Sequence, residues 1–191
     1  MNESSERNKV DLSLYDNSTY SVGRGPFIRT LWYFVNILFF QNPLNPSSGL
    51  KRRLLTLFGA RIGVGVVLKP SLNIKYPWNL TIGNHAWIGE RVWLDSLAQI
   101  TLGSNVCISQ GAYLCTGSHD SSDVRFRHQI EPIVVAEGAW IGAQAMILPG
   151  VTVKTHSVVA AGSVITRSTE PYLIYTGNPA LVVGERIIRH G

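Results

Sequence analysis

A spacing of six residues constrains this chain more than any other feature. From Val135 the sequence reads VAEGAW, IGAQAM, ILPGVT, VKTHSV, VAAGSV, ITRSTE. Every block opens on Val or Ile, and Ala139, Ala145, Val151, Ser157, Ser163 and Thr169 stand fifth. The same period runs upstream with two slips of phase, through Ile62, Leu68, Ile74 and Leu80, then Ile82, Ile88 and Leu94, then Leu102, Ile108 and Leu114. Six is neither the 3.6 of a helix nor the simple alternation of a strand. It suits a short strand followed by a corner, with the aliphatic side chain inward and a small one beside the bend. Three such units close a triangular coil of about 18 residues, and successive coils stack through main-chain hydrogen bonds. One coil buries almost nothing, whereas a stack buries a continuous aliphatic rod. The aliphatic ladder therefore reads as scaffold. Function is sought where the pattern breaks, which it does most from Thr116 to Pro132.

Residues 59–170 form the repeat body with its excursion at 116–132, residues 1–58 a polar arm and helical cap, and residues 171–191 a C-terminal extension. At 191 residues this is one domain with an appendage. Two apolar stretches, about Pro26 to Phe40 and Leu50 to Phe58, flank the turn-rich NPLNPSS and predict helices over the open edge of the first coil. Charged residues make up 15% of the chain and hydrophobic ones 45%, which predicts an oligomer. The stretch Phe27 to Phe40 is too short to span a bilayer comfortably and reads as a cap helix; an in-plane membrane contact is the sharper alternative. Met1 to Tyr20 has neither a basic nor an apolar signal region, which predicts a cytoplasmic protein, with any membrane contact at the inner face. The net charge is +5, but the cations come singly or in short groups such as Lys51-Arg52-Arg53, which argues against nucleic acid as a partner. Cys107 and Cys115 lack CxxC spacing and read as reduced thiols, and no further Cys or His completes a metal site with Cys115 and His119.

The excursion opens with TGSHD, Thr116 to Asp120. Of the five histidines, His85 and His156 occupy turn positions of hexads, His128 lies deeper in the excursion and His190 is next to the terminus, which leaves His119 as the candidate base. The stretch LGSNVCISQGAYLCTGSHD (Leu102 to Asp120), with FGARIG (Phe58 to Gly63) and the closing GNPA (Gly177 to Ala180), resembles the hexapeptide-repeat acetyltransferases. The likeness is to the sugar O-acetyltransferases, especially the branch of colanic acid and exopolysaccharide biosynthesis. It implies a mainly β fold, a left-handed parallel β-helix. It also implies acetyl-CoA as co-substrate with no metal required, a sugar or saccharide acceptor, and a homotrimer with sites between subunits. By the same resemblance His119 is the general base, a task for which imidazole is matched near neutral pH.

An orienting carboxylate would fix the tautomer of that imidazole. Asp120 and Glu131 lie within the excursion and Asp95 one coil earlier. The galactoside and maltose acetyltransferases place an acceptor-binding acid close to Asp95, the aligned position itself being Leu97 here. Trp87 and Trp93 occupy outward sixth positions of adjacent hexads. A subunit interface is the commoner use of such a surface, and stacking on a sugar ring puts Trp93 with Asp95, Asp120 and Glu131 on the acceptor side. For the donor, the resemblance points to Gly142, Ala143, Ala161 and Gly162, whose small size lets a ligand approach the main chain, then to Thr166 and Arg167. Where relatives carry two arginines after the closing turn this chain has Leu181 and Gly184, and Arg186 is the candidate substitute.

Three rival readings differ in testable ways. A zinc hydrase of the same fold needs two histidines five apart, and no pair here has that spacing. N-acetylation of an amino sugar, or acetylation of an antibiotic, would use the same base and donor groove. A non-catalytic β-helical scaffold would do without the histidine and the small donor-side residues, both of which this chain keeps.

Overall fold

A computed structural model describes residues 9–189. Residues 1–8, the start of the polar arm, and His190 lie outside the described residues.

The hexads wind into five triangular coils. The first holds β1 (Arg61–Ile62), β2 (Val67–Leu68) and β3 (Asn73–Ile74), and the second β4 (Leu80–Ile82), β5 (Trp87–Ile88) and β6 (Trp93–Asp95). The third holds β7 (Ile100–Leu102), β8 (Cys107–Ile108) and β9 (Tyr113–Cys115). A hairpin of β10 (Gly117–His119) and β11 (His128–Ile130) then leaves the coil. The fourth comprises β12 (Ile133–Val135), β13 (Trp140–Ile141) and β14 (Met146–Ile147), and the fifth β15 (Thr152–Val153), β16 (Val158–Val159) and β17 (Val164–Ile165). Equivalent strands pair in parallel and in register, so that Leu68, Ile88, Ile108, Ile141 and Val159 form one continuous row. Every residue of that row is buried.

The slips of phase have a local cause. The first-face strands β4, β7 and β12 are three residues long and turn both ends inward, so Leu80 with Ile82, Ile100 with Leu102, and Ile133 with Val135 are all buried. A hexad read from one end of such a strand is displaced by two from a hexad read from the other.

Helix α1 (Pro26–Val35) starts with Pro26 in its first turn and continues as one π-helical turn, Asn36–Phe40; α2 spans Ser48–Leu57. Helix α2 begins two residues before the expected Leu50 because the Ser47 side chain caps the Leu50 N–H. Both helices serve the exposed edge of the first coil, whose main-chain groups have no strand below them. Trp32 donates its indole N–H to the Ile74 carbonyl (2.9 Å), and Asn36 accepts from the Ile74 N–H. The Ser48 hydroxyl donates to the Leu68 carbonyl and accepts the Leu68 N–H. Lys51, the first of the Lys51-Arg52-Arg53 group, does not contribute to a charged surface. It is fully buried, and its ammonium donates to the carbonyls of Asn45 (2.8 Å), Lys69 (2.9 Å) and Leu68 (3.4 Å). At the far end β18 (Leu173–Gly177) pairs with β16 and turns through a cis Asn178–Pro179 bond into the antiparallel β19 (Ala180–Glu185).

Candidate active site

The excursion folds as a short antiparallel hairpin in which His119 lies opposite His128. The two rings are 4.5 Å apart, and the Phe126 ring stacks on His119 at 4.3 Å and 8°. Phe126 sits at φ 50°, a left-handed conformation costly for a bulky residue. It is held there by its N–H to the Asp123 carbonyl, while Asp123 also pairs with Arg127. The bend aims the Phe126 carbonyl at Nδ1 of His119, 2.8 Å away. A carbonyl only accepts, so Nδ1 carries the proton, and Nε2 keeps the lone pair when the ring is neutral.

That bond corrects the expectation of an orienting carboxylate: a main-chain carbonyl holds the ring. Asp120 instead accepts from the N–H and hydroxyl of Ser122, bonds that hold its carboxyl below the ordinary range. Glu131 lies over Gly150, where an added Cβ would come within 2.2 Å of its carboxylate. Asp95 is buried and accepts from the Tyr113 hydroxyl at 3.2 Å. Burial pushes its carboxyl up, only partly offset by Tyr113 and Lys75. Tyr113 in turn stacks on Trp93 at 4.6 Å, so Trp93, Tyr113 and Asp95 form one patch on the third face; Trp87 lies on the second. Leu97 forms part of the hairpin's apolar floor, its side chain lying directly beneath Gly117.

Sequence reasoning passed over the arm. Its main chain reaches the hairpin through the Asp11 N–H to the Val124 carbonyl, and the Tyr15 hydroxyl hydrogen-bonds Nε2 of His128 at 2.9 Å. Tyr20 donates to the Leu97 carbonyl, and burial pushes its phenol up to about 12. His128 is half-buried; its pKa is lowered by burial and then by the charge of His119. The paired tyrosines Tyr15 and Tyr20 in an otherwise polar segment were the available signal.

The donor candidates divide between corners. Gly142, Ala143, Ala161 and Gly162 line the corner between the second and third faces, with the Gly162 N–H bonded to the Ala143 carbonyl. Gly142 is small for a reason other than ligand approach, since a Cβ there would meet the Ala161 nitrogen at 2.6 Å. Gly162, at φ +70° with nothing near its missing Cβ, does leave main chain open. Thr166 and Arg167 lie at the next corner, between third and first faces, the same edge from which the hairpin projects. They line a cavity of about 380 Å³ with Tyr175, Pro179 and Leu181. Arg186 stands apart at the remaining corner, donating to the Gly138 and His156 carbonyls. Within one chain, His119 and Gly162 are thus separated by the width of the third face, roughly 15–20 Å of extended chain. Among the described residues no cluster of His, Cys, Asp and Glu could hold a metal ion.

Comparison with known proteins gives this arrangement its context. Residues 132–167 match the profile of the bacterial transferase hexapeptide (six repeats) family. Over 157 residues the chain is 41% identical to a protein of Escherichia coli (strain K12) named as the colanic acid biosynthesis acetyltransferase WcaF, covering 82% of this chain and 86% of that one. The solved structure of the hexapeptide-repeat acetyltransferase VCA0836 of Vibrio cholerae matches with a TM-score of 0.76 at 25% identity, over 83% of this chain and 90% of that one. A galactoside acetyltransferase in complex with coenzyme A matches with a TM-score of 0.74 at 26% identity, over 84% and 81%. The class defined by fold and relatives is an acyltransferase built on a left-handed parallel β-helix. Within it, the chain belongs to the hexapeptide-repeat acetyltransferases.

Proposed function

We propose that the protein transfers the acetyl group of acetyl-CoA to a hydroxyl of a sugar, in the biosynthesis of exopolysaccharide or another cell-surface saccharide, with His119 as general base. The observation that carries this reading is the 2.8 Å contact between Nδ1 of His119 and the Phe126 carbonyl, which leaves the lone pair of the neutral ring on Nε2. Nε2 takes the hydroxyl proton as the oxygen attacks the thioester carbonyl. As the tetrahedral adduct collapses and the C–S bond breaks, the imidazolium returns that proton to the departing thiolate. The products are an acetyl ester and free coenzyme A. Asp95, Tyr113 and Trp93 supply an acceptor-side surface of one carboxyl, one hydroxyl and an aromatic face, chemistry suited to a sugar. On the donor side the open main chain at Ala161 and Gly162 suits a pantetheine arm, and Arg167 the phosphates.

Because His119 and Gly162 occupy different edges of one chain, a site that uses both takes them from adjacent chains, which supports a homotrimer with three intersubunit sites. The test is acceptor-dependent release of coenzyme A from acetyl-CoA across a panel of free, nucleotide-linked and lipid-linked saccharides. Wild type is expected to turn over, and His119→Ala to bind acetyl-CoA normally yet lose at least about a hundredfold in rate. Equal rates would remove His119 from the mechanism; absence of both turnover and acetyl-CoA binding in wild type would overturn the reading.

A further inference from the structure

The helix-capped end of the stack carries an exposed surface distinct from the edges that hold His119 and the donor candidates. Helix α1 and its π-helical turn bury Trp32, Asn36 and Phe40, while Phe27, Leu31, Phe34 and Leu38, spaced as one helical stripe, stay exposed, Phe27 by 77%. Helix α2 likewise exposes Leu50 and Leu57 with Arg53 between them on the same face, Leu57 by 78%. Both helices bury their other faces on the first coil, so the two open faces lie at one end of the molecule. A stripe of four exposed apolar side chains on one helix differs from the single exposed hydrophobics of an ordinary surface.

The charge of this region is as one-sided as its hydropathy. From Asn17 to Gly89 the sequence contains eight of the chain's 17 Lys and Arg residues and none of its 12 Asp and Glu; the remainder holds nine cations against twelve acids. In sequence these cations look scattered, but the fold gathers Arg24, Arg52 and Arg53 about the two helices, Arg24 and Arg53 exposed and Arg52 half-buried, while Arg29 turns back toward Tyr76 and Trp93. The charge selects the occupant. A second copy docked end to end would press two acid-free, cationic surfaces together, whereas an acidic bilayer satisfies both charge and apolar stripe.

We propose that this end of the β-helix docks in the plane of an anionic lipid membrane, with the outer faces of α1 and α2 in the headgroup boundary and Arg24 and Arg53 on lipid phosphates. Short apolar stripes and modest charge each bind weakly, and attachment needs both. Docking by the end leaves the sides of the stack, which carry His119 and the donor corners, free for neighbouring chains and acceptors.

The test is co-sedimentation of the full chain with vesicles of phosphatidylcholine, with and without about one-third phosphatidylglycerol, at low and high salt. Binding is expected to the anionic vesicles alone, to weaken with salt, and to fall about tenfold in Phe27→Gln/Leu38→Gln and in Arg24→Glu/Arg53→Glu. Gln preserves helix propensity, and an unchanged melting temperature with unchanged turnover of a soluble acceptor separates lost docking from lost folding or lost catalysis. Equal binding to neutral and anionic vesicles, or none to either, overturns the proposal. So does a doubling of particle mass in light scattering that Phe27→Gln/Leu38→Gln abolishes, which would assign the surface to a second copy.

Discussion

Asp95 shows how a candidate acceptor-side carboxyl is held at a cost. Its carboxyl is buried beside Tyr113, and burial raises it above the ordinary value of 3.8. The native state therefore holds that proton more tightly than the unfolded chain does. Stability then falls as pH climbs from about 3.8 through the folded value, and the charged form is carried at a penalty above it. Asp95→Asn keeps an acceptor for Tyr113 and removes the charge. It should raise stability at neutral pH by about 0.5–2 kcal/mol in urea unfolding, flatten the pH dependence of the midpoint, and lower acetyl transfer through a weaker acceptor KM. A variant less stable than wild type at pH 7 would show that the carboxylate contributes more than its burial costs. His119 was legible because the resemblance singled it out, yet its partner was not. The Phe126 carbonyl reaches Nδ1 only because Phe126 adopts a left-handed conformation, a detail that a residue identity of Phe conceals.

At the scale of elements, the cap exchanges water for side-chain donors along an edge strand. Lys51 offers three N–H groups to the carbonyls of Asn45, Leu68 and Lys69, and burial pulls its ammonium below the usual lysine range. Lys51→Met fills similar volume but leaves those carbonyls short of a donor. It should cost about 2–4 kcal/mol in urea unfolding, against less than about 0.5 kcal/mol for the exposed Arg53→Met. Similar losses in the two variants would mean that water replaces the ammonium readily. The helices themselves were legible from their apolar runs and from NPLNPSS. The burial of Lys51 was not, since a lysine beside two arginines reads as a solvated face until the first coil is seen to present carbonyls to it.

For the whole molecule, the division of candidate residues among three edges is the informative fact. The hairpin with His119 shares an edge with Thr166 and Arg167, Gly142, Ala143, Ala161 and Gly162 line a second, and Arg186 is tied to main chain at the third. If the site lies between chains of a trimer, light scattering should give about three times the 21.0 kDa chain mass. Co-refolding His119→Ala with Ala161→Trp, each inactive alone, should restore up to about one quarter of wild-type activity, because mixed trimers regenerate some intact sites. A monomer mass, or mixtures as inactive as their parts, would place the whole site in one chain.

The sequence by itself determined the coil. A six-residue period of aliphatic and small residues has one economical solution, and even its slips of phase record strands with two inward ends. It also determined the candidate base, through TGSHD and the segment before it. Tertiary structure alone decided which groups meet: the carbonyl behind His119, the tyrosines of the arm beside His128, the buried ammonium under the cap, and the gathering of dispersed arginines at one end. The physical reason is the same in each case. Repeat periodicity is a local property written into successive residues, whereas these contacts join groups far apart in the chain, or turn on main-chain atoms that every residue shares and no sequence pattern distinguishes.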